Sequence, residues 1–127
     1  MTILFLCVAN SARSQIAEGL GRRMAPESEV YSAGSNPTSV KREAIAVLGE
    51  VGIDASAHYS KGIADVPADR IDVVITLCAE EYCPAPLVRA RRLHWPIPDP
   101  SDLNGFRRAR DDIQQRLEKF FEEEGLA

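Results

Sequence analysis

The residues with the clearest chemical potential lie near the N-terminus, where five residues separate Cys7 from Arg13 and Ser14 follows directly. Cys7 belongs to an apolar run of strand length, and the apolar residues after Arg13 have helical spacing. A loop between a strand and a helix N-terminus can direct backbone N–H groups at one point, and arginine adds a bidentate clamp. This arrangement predicts a site for a tetrahedral oxyanion. Its expected binding residues are Val8, Ala9, Asn10, Ser11, Ala12, Arg13 and Ser14.

The same surroundings would make Cys7 a nucleophile. The helix N-terminus, the Arg13 guanidinium and the Ser14 hydroxyl all stabilise a thiolate. Alternatively, Cys7 is a small apolar side chain buried at a strand end and Arg13 is a surface residue of the first helical turn. The flanking strand and helix, together with the polar residues Asn10 and Ser11, favour the reactive thiolate.

Other sequence patterns point to neither a nucleotide nor a metal. No Gly-x-x-x-x-Gly-Lys motif is present, and Gly19 and Gly21 lie in a helical pattern without a third glycine. The spacing of Cys78, Cys83 and His94 matches no zinc ribbon or finger. We therefore expect no metal and no cofactor.

Alternating strand and helix patterns predict the elements that position this loop. The predicted strands are residues 2–8, 29–33, 71–77 and 92–95. Helices are predicted from Arg13 to Met24, from the Asn36-Pro37 pair to Gly52, and through residues 106–121. This order predicts an α/β fold in three layers, with a four-stranded parallel sheet flanked by helices. Residues 1–127 are expected to form one domain.

Composition and charge limit the partners and the compartment. The formal net charge is -4 and the isoelectric point is near 5.2, which argues against binding to nucleic acid or to anionic membranes. The longest apolar run is too short to span a bilayer, and no signal peptide is recognisable. We expect a cytoplasmic monomer, in which three cysteines require a chemical explanation because a small cytosolic domain needs no permanent disulfide.

The segment from Cys7 to Ser14 resembles the signature of the low-molecular-weight protein tyrosine phosphatase superfamily. Residues 13–19 narrow the resemblance to its arsenate reductase branch, which is coupled to thioredoxin. Further matching blocks are residues 30–34, 53–58, 76–78, 94–95 and 99–100. The resemblance implies the low-molecular-weight phosphotyrosine phosphatase fold and the reduction of arsenate to arsenite, with phosphate or sulfate as mimics of the substrate.

By the same resemblance, three cysteines act in turn. Cys7 attacks arsenate, Cys78 attacks Cys7 and releases arsenite, and Cys83 attacks Cys78 to leave a disulfide for thioredoxin. On an intact helix the rise from Cys78 to Cys83 would be about 7.5 Å, so this segment must loop or unwind before the two thiols can join. Alternatively, Cys78 and Cys83 are packing residues of a phosphatase.

Asp99 lies between two prolines that limit its backbone freedom. The resemblance makes it the general acid that protonates the departing oxygen; the alternative is a turn or helix N-cap aspartate. Phosphatases of this fold usually have an aromatic residue after the Asp-Pro pair, whereas Ser101 follows here, which favours a small inorganic substrate.

Two features of the family remain open for this chain. The short interval between Cys78 and Cys83 leaves glutathione with glutaredoxin, or mycothiol, as alternatives to thioredoxin. Some members hold a potassium ion against residues matching Asn10, Glu18 and Ser32, with an aspartate where Lys61 stands here. We expect the Lys61 ammonium to replace the ion by pairing with Glu18 and steadying Asn10.

The sequence contains two histidines. His58 and His94 are predicted to be structural, with a ring nitrogen bonded to backbone.

Two competing functions stay open. A phosphatase that hydrolyses phosphate esters through a phosphocysteine would need Cys7, Arg13 and Asp99 only. A non-catalytic module that senses oxyanions or redox state is the further alternative.

Overall fold

The computed structural model describes residues 1–78 and 89–126, so Cys83 lies outside the described residues. Four strands and three helices follow one another along the chain. They are β1 (Thr2–Cys7), α1 (Arg13–Met24), β2 (Glu29–Gly34), α2 (Arg42–Glu50), β3 (Val73–Cys78), β4 (Arg91–Ile97) and α3 (Leu103–Glu123). The strands form a parallel sheet in the order β2-β1-β3-β4, which confirms the predicted fold class.

The two faces of the sheet pack against different partners because side chains alternate along each strand. Ile3 and Phe5 of β1, with Ile75 of β3, belong to a core that also takes in buried side chains of all three helices. Leu4 and Leu6 lie on the other face, in a smaller core. This core also includes residues that follow two short 3-10 turns, Ile63–Asp65 and Ala68–Arg70, and a residue of β3. All four carboxyl ends of the strands lie at one edge, where the predicted loop follows β1.

The predicted start of the second helix is wrong. The Asn36-Pro37 pair does not open a helix, and α2 begins at Arg42. The reason is competition for backbone groups, because Asn36 N donates to Val8 O at 2.8 Å and Thr38 N donates to Ala9 O at 3.1 Å. Residues 35–39 therefore line the loop after β1 instead of starting a helix. The predicted end is confirmed, since α2 stops at Glu50 and Gly52 follows with φ +83°.

No helix in residues 1–78 or 89–126 combines the length and the apolar character that crossing a bilayer requires.

An ionic cluster on the protein surface links α2 to α3. Glu50 accepts from Arg107 Nη2 at 2.7 Å and from Arg110 Nη1 at 2.7 Å. These two guanidinium groups, Arg107 foremost, lower the pKa of Glu50 to about 2. The cluster therefore adds an ionic contact between the two helices near neutral pH.

Glu50→Gln is expected to lower the thermal midpoint by a few degrees near pH 7, with a difference that vanishes on acidification. A carboxyl whose pKa is depressed in the folded state contributes stability above its ordinary pKa, and this contribution is lost as pH falls from about 4.5 towards about 2. Thermal melts of wild type and variant at pH 7, 5 and 2.5 measure the difference, with the exposed Glu27→Gln as control. A constant difference across these pH values would contradict the prediction.

Candidate active site

The loop between β1 and α1, residues 8–12, is held in place by hydrogen bonds that its carbonyl oxygens accept from outside the loop. Backbone or side-chain donors reach Val8 O, Ala9 O and Ser11 O from residues 36–41 and from Ser60. The four peptide planes at 8–11 are therefore anchored through their oxygens, since Asn10 O accepts from Gln15 Nε2 at 3.2 Å. These bonds occupy the carbonyl oxygens of the loop, and an anion nest formed by its N–H groups stays a prediction.

The N-terminus of α1 adds further donors to this nest. The residue before the helix is Ala12, which offers no side-chain oxygen to the first turn. The N–H groups of the first helical turn otherwise need a cap or a ligand. The helix dipole also favours a negative charge at this point.

Cys7 lies at the base of the loop and is 4% exposed. Its Sγ is 2.8 Å from Ser14 Oγ. Ser14 Oγ accepts a hydrogen bond from Asn10 Nδ2 at 2.9 Å, and its own hydrogen is available to the sulfur.

Asn10 is the residue on which the loop conformation depends. It is fully buried and has φ +47°, the one positive φ outside glycine among the described residues. Its Nδ2 also donates to Ser32 Oγ at 3.0 Å, and its Oδ1 accepts from the Lys61 backbone N at 2.8 Å. These bonds from separate parts of the chain hold a conformation that asparagine tolerates better than most residues.

Gly34 allows β2 to approach the loop, a role that the sequence analysis missed. A Cβ at this position would lie 2.4 Å from Val8 O and 2.8 Å from Asn10 N. No side chain fits there. The signal available in the sequence was a glycine that ends a predicted strand, which a turn explains equally well.

Arg13 ties the loop to the neighbouring strand ends. Its side chain is 7% exposed, and its Nη1 donates to Ile97 O at 2.9 Å and to Leu77 O at 3.5 Å. The paired residues of β3 and β4 shift register between Thr76 and Cys78, so that Cys78 pairs with Ile97. The guanidinium therefore lies at the carboxyl ends of β3 and β4.

Asp99 reaches the same guanidinium from the opposite side. Its Oδ1 is 3.9 Å from Arg13 Nη2, and its side chain is 65% exposed. The alternative of a helix cap is not adopted, because Asp102 caps α3 by accepting from Gly105 N at 2.7 Å. Asp99 also lines a cavity of about 250 Å³, together with Arg108 and Asp112.

Lys61 occupies a buried position between polar side chains. Its Nζ is 3.1 Å from Glu18 Oε1, 3.3 Å from Ser32 Oγ and 3.3 Å from Tyr59 O. Asn10 is bonded by the backbone N–H of Lys61, not by its ammonium. The pairing of Lys61 with Glu18 agrees with the expectation, whereas the predicted contact to Asn10 comes from a different atom.

The two histidines bond to side chains, so the prediction of backbone partners is wrong. His58 Nδ1 lies 3.0 Å from Gln15 Oε1 and 3.5 Å from Glu18 Oε2, and His94 Nδ1 lies 2.6 Å from Thr76 Oγ1. Burial is the largest influence on the pKa of His58 and lowers it, and Glu18 opposes this effect.

Cys78 ends β3 as a buried thiol, 1% exposed. β1 and β3 are neighbours, and Leu6 pairs with Thr76. Cys78 is thus one residue beyond the position opposite Cys7, which corresponds to a Cα separation of about 6 Å. That separation lies in the range of disulfides.

Within residues 1–78 and 89–126, no three His, Cys, Asp or Glu side chains come together in a way that could hold a metal ion.

Sequence comparison defines the family. The profile of the low molecular weight phosphotyrosine protein phosphatases matches residues 2–125, and the chain belongs to this family. Its relatives include an arsenate reductase of Halalkalibacterium halodurans, 40% identical over 131 aligned residues that cover 94% of each chain. Arsenate reductase 2 of Staphylococcus saprophyticus is also 40% identical and covers 95% of this chain and 96% of its own length. These relatives confirm the resemblance to the arsenate reductase branch.

Solved structures give the same result. An arsenate reductase in the phosphate binding state is 34% identical, with a TM-score of 0.86, over 99% of this chain and 98% of its own. A thioredoxin-dependent arsenate reductase of Corynebacterium glutamicum is 28% identical, with a TM-score of 0.80, and this chain covers 60% of its length. A tyrosine phosphatase of Erwinia amylovora, 20% identical with a TM-score of 0.81, shares the fold.

Proposed function

We propose that the protein reduces arsenate to arsenite. The observation that carries this proposal is a buried thiol, Cys78, on the strand next to the one that presents Cys7 to the anion nest. A phosphatase needs one cysteine, whereas a reductase needs two thiols to supply two electrons. The arsenate reductases among the relatives, which align over nearly the whole chain, support the same reaction.

In the first step, the Cys7 thiolate attacks the arsenic atom. An S–As bond forms and an As–O bond breaks, and Asp99 gives a proton to the departing oxygen, which leaves as water. Arg13 and the N–H groups of the loop balance the charge on the remaining oxygens. The Asp99 carboxylate that results stays close to the Arg13 guanidinium.

In the second step, Cys78 attacks the Cys7 sulfur. An S–S bond forms, the S–As bond breaks, and its electron pair remains on arsenic, which leaves as arsenite in the As(III) state. Strand alternation sends the two side chains to opposite faces, since Cys7 continues the series Ile3, Phe5 and Cys78 continues Val74, Thr76. The end of β3 must therefore turn before this disulfide can form.

In the third step, Cys83 attacks Cys78, forms a second disulfide and releases the Cys7 thiolate. Cys83 lies outside the described residues, so its part rests on the sequence alone. Thioredoxin is the proposed reductant, and the thioredoxin-dependent enzyme of Corynebacterium glutamicum supports this choice. Glutathione with glutaredoxin, or mycothiol, would supply the same two electrons.

The test is arsenate-dependent NADPH consumption with thioredoxin and thioredoxin reductase, for wild type and for Cys7→Ser, Cys78→Ser and Cys83→Ser. We expect activity in the wild type and a loss of more than about 100-fold in each variant, because each removes one thiol of the cascade. Mass spectrometry of the alkylated protein after a single turnover should show a disulfide that involves Cys78.

The competing outcomes are distinct. Activity only with glutathione and glutaredoxin, or with mycothiol, would keep the reaction and change the donor. Hydrolysis of a phosphate ester that survives both Cys78→Ser and Cys83→Ser, without arsenate reduction, would identify a phosphatase. Absence of every activity would leave a binding module.

We further propose that the Lys61 ammonium replaces the potassium ion that some members of the family hold at this position. The residues present do not fit the ion, because Lys61 Nζ already lies within 3.3 Å of Glu18, Ser32 and Tyr59 O. A second cation between these groups would meet a buried positive charge.

Exchange of sodium for potassium at constant ionic strength is therefore expected to leave the arsenate reduction rate unchanged. Steady-state rates in the two salts, at matched concentrations from 10 to 150 mM, measure this effect. Lithium serves as a control for ionic strength. A severalfold rise in potassium alone would show that an ion still binds and would contradict the proposed role of Lys61.

A further inference from the structure

Gln15 is a fully buried polar residue in the first turn of α1 to which the mechanism above gives no task. Its amide nitrogen lies 2.9 Å from Asn10 Oδ1, 3.2 Å from Asn10 O and 3.0 Å from Tyr59 O. Its amide oxygen lies 3.0 Å from His58 Nδ1. All four contacts of this one side chain are polar, and two of them reach Asn10.

These contacts show which end of the Gln15 amide is the nitrogen and which is the oxygen. The three atoms around the Gln15 nitrogen are oxygens, two of them backbone carbonyls that can only accept. A flipped amide would place oxygen against oxygen at each of these three contacts. Gln15 therefore donates to the loop, and His58 donates from Nδ1 to the Gln15 oxygen. The lowered pKa of His58 agrees with a neutral ring that carries its proton on this nitrogen.

The hydrogen bonds between Gln15 and the Cys7 sulfur have a defined donor-to-acceptor direction as well. Asn10 Oδ1 accepts from Gln15 and from the Lys61 backbone N, which places Asn10 Nδ2 on the side of Ser14. Nδ2 donates to Ser14 Oγ at 2.9 Å, and Ser14 Oγ lies 2.8 Å from Cys7 Sγ. An oxygen that accepts from Asn10 has its hydrogen free for the sulfur. A donated hydrogen bond stabilises the thiolate over the thiol.

We propose that Gln15 is a positioning residue that acts through Asn10 to hold the Ser14 hydroxyl as a donor to the Cys7 thiolate. This inference rests on the proposed role of Cys7 as the nucleophile. The hydrogen bonds of the Gln15 side chain go to Asn10, Tyr59 and His58 and not to the sulfur. Its contribution is to select one hydrogen-bond direction along the chain from His58 to Cys7.

Charged groups around this chain of bonds would affect the same thiolate and must be kept constant in a test. They are Arg13 and Asp99 near the sulfur, and Glu18, Arg22, His58 and Lys61 beside Asn10 and Gln15. Gln15→Met changes none of them. It keeps the length of the side chain and removes only the polar atoms.

The test follows the pH dependence of Cys7 alkylation by iodoacetamide in a Cys78→Ser, Cys83→Ser background, where Cys7 is the single thiol. With Gln15→Met, we expect the midpoint of the profile to rise by about 0.5 to 1 pH unit. Below the midpoint, alkylation would then be about three- to tenfold slower, with an unchanged plateau at high pH. The matched control is Gln115→Met, on the exposed surface of α3, for which no shift is expected.

Measurements in a Ser14→Ala protein distinguish a positioning role of Gln15 from a general destabilisation of the fold. If Gln15 acts through Ser14, Gln15→Met should cause no further shift in a Ser14→Ala protein. A shift of equal size in that background, or an unchanged midpoint in folded Gln15→Met, would overturn the proposal. Should Gln15→Met fail to fold by circular dichroism, His58→Phe removes the donor to Gln15 and is read by the same two comparisons.

Alkylation requires no arsenate. Its outcome is therefore independent of whether the cysteine cascade reduces arsenate, and failure of one proposal is distinguishable from failure of the other.

Discussion

Gly34→Ala is expected to lower kcat/KM for arsenate reduction by about ten- to a hundredfold. A Cβ at this position would lie 2.4 Å from Val8 O and 2.8 Å from Asn10 N, and neither backbone atom can move alone. Asn36 N and the buried Asn10 side chain hold the loop from the other side. The loop must therefore shift as a unit, and a displacement of about 1 Å in catalytic groups can cost about 100-fold in rate.

The measurement is steady-state arsenate reduction together with the dissociation constant for phosphate, because both depend on the position of the loop N–H groups. Gly49→Ala is the matched control, since a Cβ at Gly49 in α2 meets no atom within 4 Å and alanine favours the helix. Equal activities of the two alanine variants would show that the contact between β2 and the loop does not position the donors.

Asp99→Asn is expected to slow the first chemical step by about 100-fold while leaving the affinity for the anion nearly unchanged. General acid catalysis contributes about 100- to 10,000-fold, and an amide cannot give up the proton that the departing oxygen requires. The side chain lies 3.9 Å from Arg13 Nη2 and is 65% exposed, so the substitution leaves no buried group without a partner. The effect should therefore fall on kcat and not on binding.

Single-turnover formation of the Cys7–Cys78 disulfide in a Cys83→Ser background measures the chemical step, because this disulfide cannot pass on to Cys83 there. A phosphate titration measures affinity. Asp102→Asn is the control on the same segment, because asparagine caps a helix as well as aspartate does. An unchanged single-turnover rate in Asp99→Asn would remove this carboxylate from the reaction.

The sequence was most informative where chemistry depends on neighbours along the chain. Cys7 ends β1 and Arg13 begins α1, as the spacing predicts, and Cys7 Sγ lies 2.8 Å from Ser14 Oγ. The parallel direction of the four strands also follows from alternating strands and helices. Period and spacing are local properties, so a single sequence carries them.

The sequence analysis failed where the deciding partner lies far along the chain. The segment after β2 has helix-start residues, but its backbone bonds to Val8 and Ala9 prevent a helix there. Gln15 reads as an ordinary helical residue, because its contact to His58 spans 43 positions. Gly34 reads as a turn for the same reason, since its contacts to the loop are tertiary.

The outward anchoring of the loop carbonyls has a consequence for discrimination between anions. A nest whose peptide planes are fixed before any ligand arrives recognises a tetrahedral shape and a negative charge, and phosphate presents both as arsenate does. Binding alone is therefore expected to separate the two anions poorly. In the proposed mechanism selectivity arises later, when Cys78 attacks the sulfur of the Cys7 adduct, because arsenic(V) keeps the electron pair of the S–As bond and phosphorus(V) does not. The choice of arsenate over phosphate would then depend on redox chemistry and not on the shape of the binding loop.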